Sequence, residues 1–420
     1  MFLAYLSATI FALSVAYTLK AGSFLPAFFL LCYMLPFLPL LAAPLGMDVV
    51  FWTGERFVYA ADSAEISRMQ QIWLSSSVGV ILGLMVSRLR VRRSAGPHSQ
   101  QDIAQHAVSS FAVLGWHRAA LIFLISAGLI SLRFSTGSGT ENELVTGYEL
   151  IVCLMLLLCW TLVIHTANKP YLFITGCLTI AYVWSQVQTG DRDFFLVIIA
   201  LALRMGAMRS RAKGMLAIGA LGLILVLSGA VISMTRLDVD LTAAGLFEYM
   251  AFNSWNATIL PVLLMVEGEA NGGALLYGKT YLDLILSVPP SPIFSLLGIE
   301  KPIQADNPAF WFFIPGLGGM HVVGVALRNF DLVGVALQSF LFVLILAVLE
   351  RRLRGAHNPW KTLLYLYVSG AMMHTIWYGF ISIMNTLIFY LFVCFLFSIR
   401  FYISTATPPQ SEFCAKKSEK

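Results

Sequence analysis

Residues 332–349 read LVGVALQSFLFVLILAVL, a run without a single charge. Coiled as a helix, a run of this length covers a hydrocarbon core of roughly 30 Å. Inside lipid a helix satisfies its own backbone hydrogen bonds, which an isolated strand cannot do. The pattern recurs near 2–19, 23–43, 70–87, 119–134, 146–165, 171–188, 194–208, 214–235, 361–378 and 382–400. Together these runs predict an all-α, polytopic membrane protein with about eleven transmembrane helices. Composition agrees, with 58% hydrophobic and 12% charged residues, where a soluble domain carries roughly 25% charged. The alternating pattern of a membrane β-barrel is absent. The first run has no basic stretch before it and no small-residue cleavage site before Lys20, so it reads as a retained span rather than a cleaved signal.

Charge sets the expected orientation. Basic clusters stand at Arg88, Arg90, Arg92 and Arg93, at Arg204, Arg209, Arg211 and Lys213, and at Arg351, Arg352 and Arg354. Each follows an odd-numbered run, and the positive-inside rule makes these loops cytoplasmic. On that assignment 19 of the 27 Lys and Arg residues lie inside, against 4 of the 22 Asp and Glu residues. The formal charge of +5 is then a topology signal and not a nucleic-acid footprint. The C-terminal tail, 404–420, falls on the cytoplasmic side. The segment after the eighth run is then outside, periplasmic if the host is Gram-negative and the membrane a bacterial inner membrane.

Residues 236–330 contain no uninterrupted membrane-length apolar run. The expected division is therefore 1–235 with eight spans, a large periplasmic loop at 236–330, and 331–403 with three spans. Within the loop, 241–267 and 274–287 read as helices at the apolar spacing of one face. The second is stopped by Pro289 and Pro290. The six cysteines avoid the loop, so no disulfide framework is implied. Cys153 and Cys159 lack metal-ligand spacing, and no metal or cofactor is expected.

Several residues carry candidate chemistry. Asp191-Arg192-Asp193 stands between the sixth and seventh runs. Arg192 there fits bidentate phosphate binding as well as it fits an interfacial arginine neutralised by its neighbours. Arg236 follows the eighth run directly, and reads as a second phosphate contact or an interfacial anchor. His321 and Arg328 share one face if 320–329 is helical, about 10 Å apart. Pro315-Gly-Leu-Gly-Gly319 precedes them, and a Gly-rich turn opening a helix can hold an anion. A histidine is a general base near neutral pH, although a lone one is more often structural. Asp238-Val-Asp240 has a metal-binding form but reads better as a solvated turn. Lys279, Lys301 and Asp283 read equally as substrate contacts and as surface charge. Trp311 lies in the aromatic run 308–314, suited to a lipid or a sugar. Glu149, Gln186, Gln188, His374 and Asn385 gather at the outer ends of their runs, which suggests a cavity opening outward.

These residues carry a likeness. The chain resembles the Wzy-type O-antigen and oligosaccharide repeat-unit polymerases and, more distantly, the O-antigen ligases. The likeness rests on Thr189-Gly-Asp-Arg192, Tyr277-Gly-Lys-Thr-Tyr281 followed by Val288-Pro-Pro, Lys301-Pro302, Gly318-Gly-Met-His321 and Arg328-Asn-Phe330 with Leu332-Val-Gly334. It covers about 180–350. There are departures: the family often has a glutamate near Val325 and a glycine where Asp331 stands. The resemblance implies a GT-C-like membrane glycosyltransferase, metal-independent, acting in O-antigen or other lipopolysaccharide or exopolysaccharide biosynthesis. Its substrate would be a polyprenyl-pyrophosphate-linked oligosaccharide, and its partners membrane lipid, a chain-length regulator and a flippase. On this reading Arg192 and Arg236 hold the pyrophosphate and His321 is the base. Arg328, Lys279, Tyr277, Tyr281, Lys301 and Trp311 bind substrate. The alternatives are ligation of glycan onto a lipid A core, a lipid-glycan transporter or flippase, which predicts broken helices near the midplane, and a non-catalytic scaffold.

Overall fold

A computed structural model describes residues 2–45, 49–52, 58–93, 116–136, 144–189, 193–208, 275–287, 291–300, 320–353 and 359–378, with isolated positions between 219 and 289 and at 387–391. These residues are helical apart from one two-stranded antiparallel hairpin, β1 (Val50–Trp52) with β2 (Val58–Ala60). The helices are α1 (Phe2–Lys20), α2 (Phe24–Met34), α3 (Ser63–Arg93), α4 (Trp116–Thr136), α5 (Leu144–Thr166), α6 (Lys169–Thr189), α7 (Phe194–Met208), α8 (Lys279–Ser287), α9 (Ser291–Leu297), α10 (Val323–Leu353) and α11 (Pro359–Tyr378). Among the described residues four helices are long and apolar enough to cross a membrane, or five if α2 and the bent stretch after it form one span. This is consistent with a membrane protein. The expected runs 214–235 and 382–400 lie mostly outside the described residues.

Two groups of helices meet along α2, α10 and α11. One contains α1, α2, α3 and α10; the other contains α4, α5, α6, α7 and α11. The helix ends carrying Ser63 and Tyr378 are called the upper end here, and those carrying Arg93 and Leu353 the lower end. At the lower end Glu350 accepts hydrogen bonds from the Phe24 and Leu25 amides at 2.9 and 3.3 Å. It thereby caps α2 from across the bundle, satisfying amides that have no partner inside their own helix. At the upper end Asp62 and Glu65 form a reciprocal capping box that starts α3.

The closest packing is between α3 and α10. Gly79 and Gly83 lie one turn apart on α3 and let the backbones touch. A Cβ on Gly79 would stand 2.1 Å from the Ala336 carbonyl oxygen, and one on Gly83 2.8 Å from that of Phe340. Small residues four apart are the usual device for such an approach between membrane helices. Tyr33 of α2 completes the junction. Its hydroxyl lies 3.1 Å from both Ser76 of α3 and Ser339 of α10.

Two helices are broken; hydropathy presents the first as continuous and begins the second run, 332–349, just after its break. After Met34 the chain tightens into 3₁₀ turns at Leu35–Leu41, with Pro36 and Pro39 in the stretch, and bends by 53°. Proline lacks the amide that a regular helix needs and clashes with the preceding turn. The second break lies in α10 at Phe330 (φ −140°, ψ 19°) and Asp331 (φ 52°, ψ −149°). There the helix folds back on itself. Gln338 donates to the Val322 carbonyl at 2.9 Å, although a straight helix would hold these residues about 24 Å apart. A Cβ on Gly334 would meet the Ala326 carbonyl at 2.5 Å. Residues 323–329 therefore rise beside 332–353 as a short antiparallel arm. The spanning part is 332–353, about 33 Å long. The expected run 332–349 lies within it. The arm before it, expected to be part of an outer loop, packs inside the bundle. So do Ile259, Val262, Leu263, Met265 and Val266, all buried.

Two consequences are measurable as thermal unfolding in detergent. Gly79→Val forces α3 off α10 and should cost about 2 kcal/mol or more, whereas Gly128→Ala, with open space around it, should be neutral or gain up to about 1 kcal/mol. Asp331 sits at a backbone conformation suited to glycine, which costs on the order of 1–3 kcal/mol. Its carboxylate pairs with Arg68, both groups partly exposed, a contact worth about 0–1 kcal/mol. Strain outweighs the pair, so Asp331→Gly should raise the unfolding midpoint and Asp331→Ala should lower it.

Candidate functional site

The upper end of α10 is a hydrogen-bonded node. The rising arm ends at Asn329, and its last carbonyls have no partner within that arm. The turn before α8 supplies one: the Leu276 amide donates to the Arg328 carbonyl at 3.0 Å and the Tyr277 amide to that of Asn329 at 3.1 Å. The Asn329 side chain does the rest. Its Oδ1 accepts from the Gly278 and Thr280 amides at 2.9 and 3.4 Å, and so caps α8 from outside that helix. Its Nδ2 donates to the Val325 carbonyl at 2.7 Å and to the Thr280 hydroxyl. The carboxamide thus uses its full capacity of two donors and two acceptors. The turn needs left-handed backbone at Tyr277 (φ 45°) and Gly278 (φ 91°). Glycine alone takes the second without strain, and a Cβ there would press on the Phe330 ring at 3.1 Å.

Two motifs about fifty positions apart therefore form one structure. Tyr277 is exposed at its rim. Lys279 is exposed too and pairs with Asp283 one turn on, at 2.9 Å. Tyr281 is half-buried, stacks on Phe330 with centroids 6.3 Å apart, and donates to Gln338 at 2.8 Å. Arg328 is half-buried at the same level. Arg68 approaches from α3 and pairs with Asp331. Arg192, Arg236, Lys301 and Trp311 lie outside the described residues, as do Asp238 and Asp240.

His321 differs from its expected setting. It does not share a helix face with Arg328, because α10 begins at Val323 and His321 precedes it. It is fully buried, edge-on to the rings of Tyr33 and Phe37 at 4.7 and 5.5 Å. Nδ1 accepts from the Val323 amide at 3.3 Å. Next to it, the Val322 amide donates to the Ile376 carbonyl of α11 at 2.8 Å. His321 stands where α2, α10 and α11 meet.

A second polar cluster lies among α5, α6, α11 and the start of α7. Glu149 of α5 is buried and accepts from Tyr182 at 2.8 Å and from Gln186 at 2.6 Å. Cys153 lies 3.4 Å from the Tyr182 hydroxyl and 3.5 Å from the Asp193 carbonyl. His374 of α11 stands 4.0 Å from the Asp193 carboxylate, which is 27% exposed. The expected grouping of Glu149, Gln186 and His374 is thus present; Gln188 is exposed and Asn385 lies outside the described residues. Among the described residues no group of acidic, histidine and cysteine side chains has the arrangement of a metal site.

Sequence reading passed over Asn329, Tyr33, Tyr182 and the Gly79–Gly83 pair. The glycine spacing was a usable signal for close helix packing. Nothing in the sequence marks Tyr33, whose partners come from three other elements.

Fold and site together define a helical protein of membrane type, with polar networks at one end of its bundle. No family model, no curated protein and no solved structure matches the chain.

Proposed function

We propose that the chain is a membrane polysaccharide polymerase. It transfers a growing glycan from polyprenyl pyrophosphate onto a lipid-linked repeat unit, at the outer face of a bacterial inner membrane. In this reading it has eleven spans, with the upper end of the bundle toward the periplasm and the C-terminus in the cytoplasm. The observation that carries the proposal is the node at Asn329. The Tyr277–Tyr281 and Arg328–Phe330 motifs, which underlie the family likeness, meet there in one hydrogen-bonded structure.

The chemistry follows from the residues. The acceptor hydroxyl attacks the anomeric carbon of the donor glycan. The bond from that carbon to the pyrophosphate oxygen breaks, and the leaving pyrophosphate takes the electron pair. Cations stabilise the charge that develops on it; Arg328 fills this role with Arg192 and Arg236. Lys279, Tyr277, Tyr281, Lys301 and Trp311 contact the sugars and headgroup. The hydroxyl proton needs a base within reach. The geometry favours Asp193 over His321, because its carboxylate is partly exposed and has His374 beside it, whereas His321 is enclosed.

One observation favours a second reading, a lipid-glycan flippase. The broken helices at α2 and α10 are a feature of transporters that bind cargo within the membrane. A genetic test separates the two. Arg328→Ala and Asp193→Asn should insert normally and leave single lipid-linked repeat units at the outer face, with long chains reduced at least about a hundredfold. Full-length polymer from both variants would sink the polymerase reading. Repeat units trapped at the inner face would favour the flippase.

A further inference from the structure

We infer that α8 and α9 lie immersed in the lipid leaflet at the upper end of the bundle, and are not a cap standing in water. The inference rests on the protein being embedded in a membrane and is independent of the glycan reading.

Depth is the first argument. Gly278 is level with Asn329, at the top of the α10 break. Tyr281, three positions on, donates to Gln338. Gln338 lies about 9 Å below Leu332 along the spanning part of α10. The Tyr281 side chain thus reaches down from the first turn of α8 and ties it to the side of that helix. Lys279 and Asp283 pair near its upper end, where a polar headgroup layer meets an apolar interior.

The faces are the second argument. Thr280 and Leu284 of α8 are buried toward the protein, while Leu282, Ile285 and Leu286 are exposed. After Pro289 the pattern continues, with Leu296 86% exposed and Leu297 and Ile299 exposed beside it. Soluble surfaces seldom leave so many large apolar groups together in water. The adjoining face of α10 has the same character. Val333 is 76% exposed, and Leu337, Leu341 and Ile345 follow it at helical spacing. That stripe belongs to a helix apolar and long enough to cross a membrane. The Tyr281–Gln338 bond holds α8 against that helix. The exposed apolar face of α8 therefore stands beside the exposed apolar stripe of α10, and the occupant that fits such a face beside a membrane-length helix is lipid hydrocarbon.

The test uses full-length protein in phosphatidylethanolamine–phosphatidylglycerol vesicles, with Cys177, Cys394 and Cys414 replaced by Ser. Single nitroxide labels are placed at Leu286 and Leu296, with Val333 as the lipid reference and Lys279 as the headgroup reference. Collisions with oxygen, which partitions into lipid, are compared with collisions with a water-soluble nickel chelate. Labels at Leu286 and Leu296 should give an oxygen-to-nickel ratio shifted to that of Val333. A ratio at or below that of Lys279 would place the two helices in water and overturn the inference. Protection from both reagents would mean that protein covers the face, a second copy or another chain, and would overturn it equally. Only preparations in which Val333 reads as lipid-exposed are scored, so a misfolded sample is recognised. Glycan length plays no part, so a failed polymerase reading leaves this result intact.

Discussion

The near-contact of the α3 and α10 backbones at Gly79 and Gly83 is the constraint on which the rest of the bundle depends. In hydrocarbon there is no hydrophobic force between helices, and van der Waals packing has to hold them together. A Cβ at Gly79 would overlap the Ala336 carbonyl, so that packing exists only while the position is glycine. The approach brings Ser76 and Ser339 within reach of one hydroxyl, that of Tyr33. Tyr33 then fixes α2 against both helices, and Glu350 fixes its other end. Three elements share these few contacts.

The same crossing explains why α10 can fold back. With 332–353 seated on α3, the residues before it cannot continue the helix upward and still return to α11. They turn at Phe330 and Asp331 and descend beside the span. Gly334 leaves room for that arm. The cost is an aspartate in a backbone conformation that suits glycine. The result is a node of main-chain groups at the turn, which Asn329 and the approach to α8 satisfy. Enclosed polar groups are costly unless paired, and here the pairing ties the late region to the membrane helices. His321, carried down by the arm, becomes part of the aromatic core of Phe11, Tyr33, Phe37 and Trp73.

Hydropathy located the helices well. Expected runs at 2–19, 146–165, 171–188 and 194–208 match α1, α5, α6 and α7 within about two residues, the margin normal for helix ends. It failed where a helix is broken. A run such as 23–43 looks uniform to an average over windows, yet Pro36 and Pro39 stand within it, a local signal that the average hides. The break in α10 coincides with the start of the run 332–349, but nothing in that run shows that the residues before it form an arm packed back against it. The polar set Glu149, Gln186 and His374 was legible as a group because each sits at one end of an apolar run. Its hydrogen bonds were not, because Tyr182 and Cys153 read as ordinary apolar positions.

By itself the sequence determined a helical, apolar, multi-segment chain and the positions of its polar residues along that chain. Those properties are local: they follow from runs of side chains and from the backbone's need for hydrogen bonds in lipid. Tertiary structure alone decided which polar residues meet, that α10 is a hairpin, and that His321 faces a core while Asp193 keeps an open side. Each depends on pairs of residues far apart in sequence, such as Gly79 with Ala336, Asn329 with Gly278 and Val322 with Ile376. Periodicity along the chain carries no information about such pairs, because it records the environment of each segment and not its partner.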